Sequence, residues 1–100
     1  MLNNVSLNPR ANVYFDGKCV SHSFVTASGE TKSAGVILPS TLTFNTGAPE
    51  IMEVVEGSCE VTMGDGEAVK YSAGEKFSVA ANSSFIIKVD APFHYICHFG

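Results

Sequence analysis

Apolar and polar residues alternate along almost the whole of this 100-residue chain, and helix periodicity is nearly absent. A period of two is what a half-buried strand requires, because successive side chains leave opposite faces of the pleat. In the first long run Val20, His22, Phe24 and Thr26 share one face, with Cys19, Ser21, Ser23 and Val25 on the other. Apolar alternation then returns at Ala34, Val36 and Leu38, at Leu42 and Phe44, and at Met52 and Val54. It continues through Cys59, Val61 and Met63, then Val69 and Tyr71, Phe77 and Val79, and Phe85, Ile87 and Val89. A last run holds Phe93, Tyr95, Cys97 and Phe99. Short runs of β-branched and aromatic residues in this pattern predict strands.

The breaks carry turn chemistry. Gly64-Asp65-Gly66 is a hairpin signal, because glycine tolerates positive φ. Ser28-Gly29-Glu30, Pro39, Gly47-Ala48-Pro49, Gly57, Gly74, Asn82 and Pro92 punctuate the rest. Turns roughly 8–12 residues apart are the mark of a sandwich or barrel. The expected architecture is all-β and single-domain, with residues 1–12 as an N-terminal arm or partner-contacting strand and residues 13–100 as the β-barrel domain.

Bulk properties narrow the function. The net charge is −4 with six Lys and Arg, which argues against a nucleic-acid surface, since phosphate backbones demand basic clusters. A small anion needs only one or two placed cations and stays admissible. The three cysteines, Cys19, Cys59 and Cys97, lie far apart inside apolar runs, and their spacing suits buried thiols rather than zinc ligands or disulfides. No apolar run approaches the ~20 residues of a membrane helix, and residues 1–12 lack a signal-peptide core. A cytoplasmic location with no membrane partner is the expectation.

The chemistry-bearing side chains admit two readings each. His94 and His98 share a strand face, but four residues at ~3.4 Å put them about 14 Å apart, too far to chelate one ion. No metal is expected. Glu50 follows Pro49 and opens an alternating run. It is either a solvated loop-end carboxylate or a group aimed into a barrel mouth, where it accepts hydrogen bonds from ligand hydroxyls. Thr43 and Asn45 project to one side of their strand, either as a wet outer face or as a polar cluster with Glu50. Lys32, flanked by Thr31 and Ser33, is a candidate anion contact without a P-loop to support it. Tyr14-Phe15 and Tyr95 are core aromatics, although a tyrosine hydroxyl at a pocket wall could orient a ligand.

Two segments share a frame. Glu50 and Gly57 are separated by six residues, and Gly74 leads through Phe77 and the Ala80-Ala81-Asn82 corner to Phe85. These resemble the E-x6-G tail of the first cupin motif and the second motif, G-x5-P-x-G-x2-H. In a metal-binding cupin two histidines precede the glutamate and a third closes the second motif. Here Thr43-Phe44-Asn45-Thr46 and Phe85 occupy those places.

The resemblance is closer than to cupins in general. Tyr14-Phe15-Asp16-Gly17-Lys18, Leu42-Thr43-Phe44-Asn45-Thr46 with Pro49-Glu50, and Tyr95-Ile96-Cys97 together resemble the small pyrimidine/purine nucleoside phosphorylase family. The similarity runs from about Asn12 to Phe99 and rests on order and spacing, not on one motif. It implies a cupin-like, jelly-roll β-barrel, a homodimer, and a transferase of the pentosyl class. That enzyme cleaves purine and pyrimidine nucleosides with phosphate to free base and α-D-ribose 1-phosphate, without a cofactor. In that frame Glu50 is the catalytic residue and grips the ribose hydroxyls with Asn45 and Thr43, Thr46 is a further substrate contact, Phe85 and Tyr95 wall the base, and Lys32 or another cation meets phosphate. His98 stands where relatives can carry arginine, a departure that would alter activity if that arginine contacts phosphate. The alternative is a non-catalytic cupin that binds a sugar or nucleotide.

Overall fold

The structure, a computed structural model, describes residues 1–99, so the expected domain end at Gly100 lies outside the described residues. Eleven strands and one short 3-10 turn account for most of it. In chain order the strands are β1 (Ser6–Leu7), β2 (Asn12–Tyr14), β3 (Cys19–Val25), β4 (Thr31–Ile37), β5 (Ser40–Asn45) and β6 (Glu50–Glu56). They continue as β7 (Ser58–Met63), β8 (Val69–Ser72), β9 (Lys76–Val79), β10 (Ser84–Val89) and β11 (Phe93–Phe99).

All the ladders are antiparallel, and they build two sheets. The larger runs β1-β3-β4-β11-β6-β9, with β2 also on β3; the smaller runs β5-β10-β7-β8. Among the described residues the ladders leave these as two facing sheets and do not close them into one ring. Part of the expected arm is sheet: Ser6 and Leu7 pair with Val25 and Phe24, and Asn12 to Tyr14 pair with Ser21 to Cys19. The expected boundary at residue 12 therefore falls inside β2.

The inner faces interdigitate as a sandwich should. Met52 and Val54 from β6, Phe93, Tyr95 and Cys97 from β11, Leu42 from β5, and Phe85 and Ile87 from β10 are all buried in one core. One expected face is corrected. In β4 the buried positions are Ser33 and Ile37, whereas Ala34 and Val36 are only half-buried. The cause is register: Tyr95 pairs with Gly35 and Phe93 with Ile37, so the odd-numbered positions of β4 meet the inward row of β11. The sandwich is left with a polar patch on its inner wall, and the site is built there.

Candidate active site

Strand alternation puts Glu50 on the inward face of β6, in line with Met52 and Val54, at the end of the strand where it pairs with Phe99 and Val79. Inward positions of β3, β4 and β11 add Ser21, Ser33, Tyr95 and Cys97. Facing them from the smaller sheet are Phe44, Asn45 and Phe85. Together with Tyr14, Met52 and Phe99 these residues enclose a cavity of about 180 Å³. Its depth carries hydroxyls, a thiol and a carboxylate; Tyr14 and Phe99 stand at its rim, each about half exposed.

The interior is electrostatically tuned. Burial raises the Glu50 carboxyl above its usual range, while the Cys97 thiol, donating to Glu50 Oε1 at 3.5 Å, partly opposes that rise. Cys97 is itself pushed up, by burial first and then by the Glu50 charge and that same bond. Tyr95 Oη lies 3.4 Å from Cys19 Sγ and is likewise held protonated by burial. Its hydroxyl occupies the space over Gly35: a Cβ there would stand 2.8 Å from Tyr95 Oη, 2.8 Å from the Val20 carbonyl oxygen and 2.9 Å from Ser21 Cβ. Glycine is thus what lets the ring lie against β4.

A second, open cleft of about 800 Å³ flanks the same strand ends, and Glu50 and Phe99 line both spaces. Here the outward positions converge: Lys32 on β4, His98 on β11 and Glu53 on β6, with Lys76 and Ser78 on β9. Lys32 Nζ lies 2.6 Å from His98 Nδ1, and His98 Nε2 lies 2.9 Å from Glu53 Oε1. With the ammonium donating to Nδ1, the imidazole proton sits on Nε2 and is donated to Glu53. Lys32 also approaches Glu30 at 3.8 Å.

Of the residues singled out from the sequence, Asn45, Glu50, Phe85 and Tyr95 meet in the inner cavity, and Lys32 stands in the outer cleft. Thr43 and Thr46 line neither. Thr43 is exposed on β5, paired with Ile86. Thr46 is buried with its hydroxyl committed: it donates to the carbonyls of Ala80 (2.6 Å) and Ser83 (3.2 Å) and accepts from the Ser83 N–H (3.0 Å). It clasps two loops together. Sequence reasoning missed Ser21, Ser33, Cys97 and Gly35 as site residues; the expected core placement of Tyr14 and Phe15 is corrected, since both are nearly half exposed and Tyr14 stands at the cavity rim. Serines at alternate positions of two strands were the available signal for the first pair. Among the described residues no three or more His, Cys, Asp or Glu side chains group as metal ligands.

A family model for pyrimidine/purine nucleoside phosphorylase matches residues 9–99. A pyrimidine/purine nucleoside phosphorylase of Thiobacillus denitrificans is 63% identical over 99 residues, spanning 97% of this chain and 95% of that one. The crystal structure of a protein of unknown function from an Acinetobacter species is 40% identical and superposes with a TM-score of 0.96 over 100% of this chain and 98% of the other. An RmlC-like cupin from Shewanella frigidimarina shares the fold at 16% identity, with a TM-score of 0.71 over 90% of this chain and 81% of its own. The family match over residues 9–99 and the relative at 63% identity together show that this chain belongs to the pyrimidine/purine nucleoside phosphorylase family.

Proposed function

We propose that this protein is a pentosyl-transferring enzyme that cleaves purine and pyrimidine nucleosides with phosphate, giving free base and α-D-ribose 1-phosphate without a metal. The two-sheet sandwich is read as a cupin-type jelly roll whose sheets face each other without a ladder joining them. The observation that carries the reading is Glu50, a half-buried carboxylate shared by a polar cavity and a cleft that holds Lys32, Lys76 and His98 beside Glu30 and Glu53. In the reaction a phosphate oxygen bonds to C1′ as the C1′–N bond to the base breaks. The bonding pair leaves with the base, which takes up a proton at that nitrogen. Positive charge grows on the ribose ring in between. Glu50 and Asn45 would hold ribose hydroxyls, and the negative charge of Glu50 would stabilise the cationic ring. Tyr95 and Phe85 would wall the cavity and exclude water.

Lys32, bonded to His98 and 3.8 Å from Glu30, would turn its ammonium from Glu30 to phosphate arriving through the outer cleft. Holding both reactants in line can lower the barrier by ~7–11 kcal/mol in favourable cases, without a Lewis acid. A base held at the aromatic rim formed by Tyr14 and Phe99 would meet few polar groups, which suits broad tolerance. A homodimer in the cytoplasm is part of the same reading.

The test is chromatographic: purified protein with uridine or inosine, with and without phosphate. Phosphate-dependent release of uracil and hypoxanthine, with ribose 1-phosphate formed, is the expected result. Nucleoside bound but never consumed would replace this reading with that of a binding protein.

A further inference from the structure

The chain turns sharply where β2 ends. Tyr14 is extended (φ −122°, ψ 153°), but Phe15 (φ 52°), Asp16 (φ 54°) and Gly17 (φ 92°) follow in the left-handed region. Glycine accepts that region freely, whereas for a bulky residue such as phenylalanine it is a genuine outlier. Such strain persists only where surrounding structure holds it, and it concentrates at ligand clamps and active sites. The holding contacts are visible. The Lys18 N–H donates to the Phe15 carbonyl (3.1 Å), and the Leu38 N–H donates to the Lys18 carbonyl (2.8 Å). The Phe15 ring packs edge-on against Phe44 at 5.3 Å, and Phe44 stacks on Phe85 at 5.6 Å. Phe15 is therefore pinned to the cavity wall, and the residue before it is delivered to the cavity rim.

That residue is Tyr14, which lines the cavity although 46% exposed. A large aromatic left half in water beside a pocket has a face to offer a ligand. The chemistry of the pocket says which ligand. Ser21, Ser33, Asn45 and Glu50 supply hydrogen-bonding groups inside, which suit a hydroxyl-rich moiety, whereas the rim is aromatic. At about 180 Å³ the cavity is smaller than the ~300–1,000 Å³ usual for a whole ligand of drug size. A nucleoside with its ribose inside must leave its base at the rim.

We infer that Tyr14 is the base-stacking residue of the site, held there by the strained Phe15-Asp16-Gly17 turn, and that stacking on its ring makes the enzyme tolerant of both purines and pyrimidines. The inference rests on the nucleoside reading of the pocket. Every base has a π-face, so stacking rewards all of them without reading hydrogen-bond patterns.

The experiment compares wild type with Tyr14→Ala, Tyr14→Leu and Tyr14→Phe. It measures the equilibrium affinity for uridine, inosine and ribose 1-phosphate by calorimetry, beside turnover of the two nucleosides. Loss of the ring should weaken both nucleosides about 5- to 150-fold, equivalent to the ~1–3 kcal/mol of one base–aromatic stack. Ribose 1-phosphate, which has no base, should bind as before, and Tyr14→Phe should match wild type. Tyr14→Leu keeps apolar bulk, so it decides the matter if the alanine variant loses its cooperative melt. Unchanged nucleoside affinity in both ring-deleted variants overturns the inference. So does an equal loss for ribose 1-phosphate, which would mark a general disturbance of the pocket. Nucleosides that bind but are not cleaved by wild type refute the phosphorylase reading alone, and the affinities still judge Tyr14. A wild-type protein that binds neither nucleoside overturns both.

Discussion

Replacing Gly35 by alanine puts one methyl group where three atoms already stand. Two of them, the Val20 carbonyl oxygen and Ser21 Cβ, belong to β3 and are fixed by its ladder with β4, in which Val20 pairs with Val36 and Ser21 with Gly35. They cannot retreat without breaking register. The third, Tyr95 Oη, can swing away, but only by leaving Cys19 Sγ and tilting a ring packed between the sheets. Overpacking of this kind costs ~1–3 kcal/mol. Losing the hydroxyl's hydrogen bond adds ~0.5–1.5 kcal/mol. Against these, alanine restricts the unfolded chain and returns ~0.4–1 kcal/mol. The net is a destabilisation of about 2 kcal/mol, within limits of roughly 0.5 and 4, which lowers Tm by about 8–16 °C at ~4–8 °C per kcal/mol for a domain of this size. Thermal melts and urea titrations of Gly35→Ala, Tyr95→Phe and the double variant test this. Removing the Tyr95 hydroxyl relieves one of the three overlaps, so the double variant should lose less than the sum of the singles, by ~0.5 kcal/mol or more. Strict additivity, or a Gly35→Ala protein as stable as wild type, would refute the argument that glycine is there for the ring.

Three further outcomes are expected. Glu50→Gln should lower turnover by about 10- to 150-fold, the worth of one hydrogen bond to a charged group. It should also stabilise the protein at neutral pH. The folded carboxyl titrates above its ordinary value of 4.5, so the native state binds the proton more tightly, and the Glu50 contribution to stability falls as pH rises between those two values. Melts of wild type and Glu50→Gln should converge below pH 4.5 and separate above it; a variant no more stable at pH 7 contradicts the sign. Cys97→Ala removes the donor that restrains Glu50, so the acid limb of the turnover profile should move to higher pH, whereas Cys97→Ser should keep it in place. Identical profiles for alanine and serine would remove Cys97 from the argument. Finally, the thiols of Cys19, Cys59 and Cys97 are buried and raised, Cys59 to about 11, so at pH 8 roughly a thousandth of Cys59 is thiolate. A disulfide reagent should label all three slowly in the folded protein and at once in denaturant; rapid native labelling would contradict the burial.

What the sequence revealed follows from which signals are local. Strands are local, and so is the Gly64-Asp65-Gly66 turn, where the Gly66 N–H donates to the Met63 carbonyl between β7 and β8. Glu50 was legible because its spacing to Gly57 fixed its place at a strand end. Thr43 was not, because alternation places it on the same side as Asn45 without saying which side is wet. Asn45 reaches the cavity at the end of β5, whereas Thr43 is held mid-strand opposite Ile86. Ser21 and Ser33 carry no local mark of which way they face, and it is the sheet register that turns them inward. The Lys32–His98–Glu53 chain joins residues up to 66 positions apart, and no spacing rule reaches across an unknown pairing of β4, β11 and β6. Gly35 is silent for the same reason: its meaning lies in the tyrosine opposite.

The first dozen residues matter in another way. By lying along β3 as β1 and the start of β2, they cover one margin of the larger sheet, where the N–H and C=O groups of β3 would otherwise face water unpaired. A bare margin of that kind recruits strands from neighbouring molecules. A shortened protein lacking residues 1–11 would thus keep Tyr14, Glu50 and the inner serines yet carry an adhesive border along Phe24 and Val25, and its shortfall would show as precipitation before it showed as lost chemistry. A segment with no buried residue is the one that guards the margin of the sheet.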